Sequence, residues 1–109
     1  MNTPLLASEE IIKKGPANLQ RGIETVGGNL YLTNQRLVFE PHVINIQAAA
    51  EAIDLKQITG MEFAMTKFLG IFPIISNTLS VKLGDEARNF VLYGRGKWRD
   101  AILAKKAEL

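Results

Sequence analysis

The chain has 109 residues and a net charge of +2, from 13 Lys and Arg against 11 Asp and Glu. This length fits one domain with a single hydrophobic core, and an apolar fraction of 47% is typical of a globular protein. The charge is less basic than that of most nucleic-acid-binding domains, so no nucleic-acid partner is expected. The absence of cysteine excludes disulfides and cysteine nucleophiles and suits a cytoplasmic protein. No apolar run is long enough to span a bilayer, and the first residues do not resemble a signal peptide.

Residues 1–14 are interpreted as a tail and a short leader, in which Ser8 can cap a helical turn. From Ala17 onwards, alternating apolar and polar side chains favour β-strands. A first strand is predicted over Ala17 to Thr25. Gly27-Gly28 then predicts a turn, because glycine is common where the chain reverses.

A β-hairpin is predicted around Asn34-Gln35. Its two strands are Leu30 to Thr33 and Leu37 to Glu40, and alternation places one side of each strand in the core. The predicted inward residues are Leu30, Leu32, Leu37 and Phe39.

The rest of the chain predicts four more strands and one helix. The strands are Ile53 to Leu55, Ile58 to Thr66, Leu79 to Leu83 and Phe90 to Tyr93, with a turn at Gly84-Asp85-Glu86. An amphipathic helix is predicted over residues 95–109, with an apolar side that carries Trp98, Ala101, Ile102 and Leu109. The sequence therefore predicts a single domain over 1–109, with β-sheets over 17–93 and a C-terminal helix that caps their open end through Trp98.

Several segments in this order resemble the GRAM domain family, in particular a bacterial-type member that stands alone. The longest is Gly28 to Phe39, in which a Gly and two Leu around an aromatic residue precede Thr-Asn and Arg-Leu-Val-Phe. The others are Ile53 to Ile58, Gly70 to Pro73, Asn77 to Leu79, and the ending Phe90, Arg95 and Trp98.

The resemblance implies a pleckstrin-homology-like barrel, mainly β, in which two near-orthogonal antiparallel sheets of about seven strands are capped by the C-terminal helix. Members of this family are modules that contact proteins or phosphoinositide-bearing membranes. The resemblance carries over no catalytic residues and no cofactor.

The sequence contains no constellation of residues typical of an enzyme or a metal site. His42 is the only histidine, and we interpret it as a surface or rim residue because a metal site needs further ligands. Serine or threonine nucleophiles would need a base positioned by a third group, and no spacing indicates one. No catalytic residue, metal ligand or cofactor is therefore predicted.

Two groups of basic residues are candidates for binding anionic lipid or another anion. Lys13, Lys14, Arg21 and Arg36 are expected to lie near the open end of the barrel, where converging cations can hold phosphate. Arg95 and Lys97 flank Gly96 at the start of the helix, where backbone N–H groups are free. The alternatives are ordinary solvated charge for the first group and a plain strand-to-helix turn for the second.

The most apolar segment of the chain runs from Phe68 to Ile75. It lacks alternation and contains Gly70 and Pro73, so it is interpreted as a loop. This loop could fold over the core, contact a second copy or a partner, or enter a membrane surface beside Lys67. The candidate interface residues are Phe68, Leu69, Ile71, Phe72, Ile74 and Ile75.

From these features we expect a non-catalytic, cytoplasmic binding module that mediates protein interaction or self-association. The alternative is peripheral binding to anionic membrane lipid or phosphoinositide headgroups. An enzyme is the least supported class, since no polar constellation favours it.

Overall fold

Alternating side chains produce seven antiparallel strands, and a helix follows them. The computed structural model describes residues 1–22, 24–43, 49–68 and 72–109, and the side chains of these residues except 65–68 and 72–76. The strands are β1 (Ile11–Arg21), β2 (Glu24–Thr33), β3 (Arg36–Pro41), β4 (Glu51–Asp54), β5 (Gly60–Phe68), β6 (Phe72–Leu83) and β7 (Glu86–Leu92). A 3-10 helix, Leu55–Gln57, links β4 to β5, and the helix α1 spans Arg95–Ala107.

The strands form one continuous sheet in the order β4-β3-β2-β1-β7-β6-β5. Among the described residues, the backbones of its two halves, β1 to β4 and β5 to β7, pair with each other only where Ala17, Asn18 and Leu19 of β1 lie opposite Leu92, Val91 and Phe90 of β7. This short junction lets the sheet bend around a single core. The predicted class, mainly β with one C-terminal helix, is confirmed.

The predicted hairpin lies where the sequence placed it. Its four inward residues are at most 1% exposed, and the chain turns at Asn34 and Gln35. Thr33 Oγ1 accepts hydrogen bonds from the backbone N–H groups of Gln35 (3.0 Å) and Arg36 (2.8 Å), which fixes the turn locally.

Several strands begin or end at other residues than predicted; β6, for example, begins at Phe72 and not at Leu79. β1 begins at Ile11, so Lys13 and Lys14 belong to a strand and not to a leader. Gly27-Gly28 lies inside β2 and forms no turn. A Cβ at Gly28 would lie 2.2 Å from the Glu40 carbonyl oxygen and 2.8 Å from Pro41 Cα, so glycine here permits close packing of β2 on β3.

One side of the helix α1 packs against the core of the sheet. Trp98 and Ile102 are 3% and 0% exposed and belong to the core cluster, as predicted. Gly94 precedes α1 with φ +68°, a conformation that glycine adopts at little cost. Leu109 was expected on the apolar side but is 53% exposed, because α1 ends at Ala107.

Candidate functional site

The first ten residues form a strap that lies against the β2–β3 hairpin. Val38 and Glu40 point to the outer face of β3, and both are buried. The Glu40 carboxylate accepts hydrogen bonds from the Asn2 N–H (3.0 Å), the Thr3 N–H (2.6 Å) and the Thr3 hydroxyl (2.7 Å). Burial raises the pKa of Glu40, but the hydrogen bonds from Thr3 and Asn2 outweigh it and leave the pKa below its ordinary value.

The other end of the strap is held by a buried ion pair between Glu9 and Arg36. Arg36 donates from Nη2 to Glu9 Oε1 (2.6 Å) and from Nε to Glu9 Oε2 (2.8 Å), which is a bidentate arrangement. The Thr33 hydroxyl donates to the same carboxylate at 2.6 Å. The hydrogen bonds from Arg36, which outweigh burial, lower the pKa of Glu9 to about 2. Arg36 therefore has a structural role that its position in the sequence did not indicate.

The four basic residues expected at the open end are not gathered into one cluster. Lys13 lies over the Trp98 ring at 5.1 Å and Lys14 over the Tyr31 ring at 5.7 Å, since neighbours on a strand face opposite sides. Arg21 lies about 26 Å of strand from Lys13 and pairs with Glu51 at 3.7 Å. Arg21 and Arg36 therefore do not join Lys13 and Lys14 in one cluster, because each arginine is paired with a carboxylate.

The second group of basic residues, at the start of α1, lies beside Phe63 and Arg99, which were not predicted as site residues. The Arg95 and Arg99 guanidinium carbons lie 4.3 and 4.7 Å from the centre of the Phe63 ring, which is 43% exposed. Arg99 pairs with Asp100 at 3.2 Å, and Lys97 is exposed. Arginines four residues apart on a helix share a face, so the spacing of Arg95 and Arg99 was a signal for the pair, whereas their contact with Phe63 depends on the fold.

Arg95 also marks the base of a long hairpin formed by β5 and β6. Its Nη1 donates to the carbonyl oxygens of Ala64 (3.0 Å) and Thr78 (3.3 Å), which are paired residues of the two strands. β6 pairs with β7 only from Thr78 onwards, so residues 72–77 have no partner on β7; the pairs described in this range, Phe72 with Phe68 and Ile75 with Thr66, are with β5. We call residues 65–68 and 72–77 the hairpin extension.

The predicted apolar loop is replaced by strand over most of its length. Phe68 pairs with Phe72, and both Ile74 and Ile75 belong to β6. Leu69 and Ile71 lie outside the described residues. Pro73 is tolerated in a strand because the register shifts between Thr66 and Phe68, so that Pro73 is not among the paired residues.

The structure offers no metal centre within its described residues, where no three His, Asp or Glu side chains come together. His42, the only histidine, is exposed, as expected of a rim residue. No described helix is long and apolar enough to cross a membrane.

Comparison with solved structures identifies the fold. The N-terminal PH domain of Vps36 matches with a TM-score of 0.70 and 16% identity, over 96% of this chain and 84% of that one. The N-terminal PH domain of human ARAP2 matches with a TM-score of 0.65 and 10% identity, over 99% and 87%. The fold is that of a pleckstrin-homology domain.

A third similar structure is the C-terminal domain of an unknown protein from Leishmania infantum. It matches with a TM-score of 0.72 and 18% identity, over 93% of this chain and 87% of that one. No family model and no curated protein matches the sequence. At these identities the likeness concerns the fold alone.

Proposed function

We propose that this chain is a non-catalytic binding module that self-associates through the hairpin extension of β5 and β6. The order of its motifs from Gly28 to Trp98 further leads us to propose that it belongs to the GRAM branch of the PH-like fold. The observation that carries the functional proposal is the pairing pattern of β6, whose first six residues have no β7 partner.

The length and composition of the extension support a contact role. Six residues of β6 correspond to about 20 Å of strand beyond its last residue pair with β7. The sequence from Phe68 to Ile75 is apolar throughout and contains no charge. An apolar ribbon of this length is costly to leave in water, since each large side chain gains about 1.5–3 kcal/mol on burial.

A second copy of the chain is the partner that best fits this ribbon. β5 is an edge strand of the sheet, with one side of its backbone unpaired among the described strands. An uncharged ribbon is complementary to itself, and a two-fold axis places the same residues on both sides of the contact. Self-association would cover the open edge of β5.

Phe72→Asp tests this proposal. Each copy would bring an unpaired carboxylate into the apolar contact, which is costly to bury, so the variant should be monomeric while its circular dichroism and melting temperature stay near those of the wild type. The measurement is solution mass by light scattering. Leu103→Asp is the matched control, because Leu103 is 48% exposed and belongs to α1 and not to the extension, and its replacement should leave the mass unchanged. A folded Phe72→Asp variant with the wild-type mass would contradict the proposal.

A second candidate function is peripheral binding to an anionic membrane, supported by the cations at the base of the extension. Arg95 lies at this base, Lys97 is exposed nearby, and neither forms an ion pair with a carboxylate in the described part of the chain. Co-sedimentation with phosphatidylserine vesicles should then weaken with salt and with Lys97→Glu. Arg36 is unsuitable for such a test, because its loss would also break the ion pair with Glu9.

A further inference from the structure

The strap is bound to the outer face of the β2–β3 hairpin in the way that an extended peptide ligand would be. Thr3 of the strap is hydrogen-bonded to Glu40. Glu9 is paired with Arg36, which precedes Glu40 by four residues on β3. Val38 lies between these two residues on the same face of β3 and is 0% exposed, so the segment that joins Thr3 to Glu9 passes over it. The strap therefore fills a docking surface that belongs to the sheet.

The Glu40 carboxylate contacts two consecutive residues of the strap. Its Oε1 atom accepts the N–H of Asn2, and its Oε2 atom accepts both the N–H and the hydroxyl of Thr3. Glu40 is 6% exposed, so this carboxylate is aimed at the strap and not at bulk water. Hydrogen bonds to an ionised group are among the strongest in proteins, and the third one needs a hydroxyl at the second position. Threonine or serine is therefore favoured there.

The following residue, Pro4, is held by Arg36. Arg36 Nη2 donates to the Pro4 carbonyl oxygen at 3.0 Å, while Glu9 fixes the guanidinium from its other side. Proline restricts the residue before it to an extended backbone, which is the form that Thr3 needs to reach Glu40 with both of its donors. The surface thus fits a threonine followed by a proline in an extended chain.

The strap is held in a way that allows a competing segment to displace it. Leu5 and Leu6, in its middle, are each 51% exposed, so this part buries little apolar surface. Ser8 has φ +60°, a conformation that is costly for a residue with a Cβ and that opening of the strap would relieve. A tethered segment of this kind competes at an effective concentration on the order of millimolar, so it masks the surface against weak ligands.

We propose that the surface formed by Arg36, Val38 and Glu40 is a docking site for an extended segment of a partner protein in which an unmodified threonine or serine precedes proline. In the free chain, residues 2–4 of the strap occupy this site. A phosphate on the hydroxyl would bring about two negative charges against Glu40 and remove the donor, so the site rejects the phosphorylated segment. The site does not depend on the hairpin extension, because all three residues belong to β3.

A peptide with the sequence of residues 1–6, blocked at both ends, is the probe for this site. It is titrated into the isotopically labelled chain of 109 residues, and amide chemical shifts are followed by NMR. Thr3→Val removes one hydrogen bond of the strap and leaves the docking surface unchanged. This variant should bind the peptide about tenfold or more tightly than the wild type does, with saturable shifts at Tyr31, Val38 and Glu40.

Two altered peptides test what the site recognises. One carries valine and the other phosphothreonine in place of the threonine, so neither can donate the hydroxyl hydrogen bond to Glu40. Both should bind the Thr3→Val chain about tenfold or more weakly than the threonine peptide does, as the loss of a hydrogen bond to a charged group predicts.

Thr25→Val is the matched control variant. It makes the same chemical change at an exposed position near the start of β2, so it should bind the threonine peptide as weakly as the wild type does. If Thr3→Val does not fold, Asn2→Pro takes its place, because it removes the N–H that Asn2 donates to Glu40.

Three results would overturn the proposal. Absence of saturable shifts at Tyr31, Val38 and Glu40 in the Thr3→Val chain would show that no segment docks there in trans. Equal binding of the three peptides would exclude recognition of the hydroxyl by Glu40. Equal binding of the threonine peptide to the Thr3→Val and Thr25→Val chains would show that the strap does not mask the surface. None of these measurements requires an oligomer, so their failure is distinct from a failure of self-association.

Discussion

At the scale of single residues, the role of Arg36 in the structure differs from the role that the sequence suggested. As one of several cations near the first strands, it favoured an anion site. Glu9, its partner, lies 27 residues away, and no local pattern relates the two positions. Only the pairing of β1 with β2 brings the strap to the hairpin, so this ion pair could not be predicted from spacing.

The Glu9–Arg36 pair should make the stability of the fold depend on acid. The pKa of Glu9 is about 2 in the folded chain, against an ordinary value of 4.5. Its contribution, about 3 kcal/mol for a shift of this size, is fully present above pH 4.5 and is lost as the pH falls towards 2. Denaturant unfolding at a series of pH values measures this dependence.

Glu9→Gln should remove that acid dependence and lower the free energy of unfolding at pH 7 by about 3 kcal/mol, because Arg36 is left without its carboxylate. Glu10→Gln is the matched control, since the neighbouring Glu10 side chain is exposed, and it should change little. A pH profile of Glu9→Gln that matches the wild type would contradict the role assigned to the pair.

Gly28 provides a second test at this scale. Gly28→Ala should destabilise the protein by about 3 kcal/mol, because the new Cβ meets backbone atoms of β3 that cannot move aside. Gly60→Ala, where a Cβ would meet nothing within 4 Å, should be neutral or slightly stabilising. Thermal unfolding of both variants measures the difference, and equal melting temperatures would refute the steric argument.

At the scale of elements, the sequence predicts best where local chemistry and side-chain alternation agree. The hairpin at Asn34-Gln35 and the helix around Trp98 satisfy this condition and are confirmed. Gly27-Gly28 was predicted to be a turn, but it lies inside β2. Glycine is common both where the chain reverses and where two backbones approach closely, and the sequence does not distinguish these two roles. The extension of β5 and β6 was assigned to a loop because both Gly70 and Pro73 usually interrupt strands.

The docking of α1 depends mainly on Trp98. Trp98 packs against the backbone of Gly15, where a Cβ would lie 3.3 Å from its ring, and beneath the Lys13 ammonium. Trp98→Ala should lower the free energy of unfolding by about 3–5 kcal/mol. Leu103→Ala, at an exposed position of the same helix, should cost far less. Chemical denaturation compares the two, and a small effect of Trp98→Ala would mean that α1 contributes little to the core.

At the scale of the whole molecule, the number of strands and the terminal helix could be predicted from the sequence, whereas the arrangement of residues on the surface could not. Alternation specifies which residues face the core, and the core cluster contains the inward residues of the predicted hairpin together with Trp98 and Ile102. The strap and the grouping of Arg95 with Phe63 both depend on contacts between distant parts of the chain. Such contacts arise from the bend of the sheet, which periodicity does not describe.

The most direct test of self-association is the solution mass of the wild-type chain by light scattering, over a range of concentrations and with phosphatidylserine vesicles added. We predict a mass near twice the 12.1 kDa of one chain, unaffected by vesicles. A monomer at all concentrations would contradict the account. If that monomer also moved onto the vesicles, the membrane alternative would replace it.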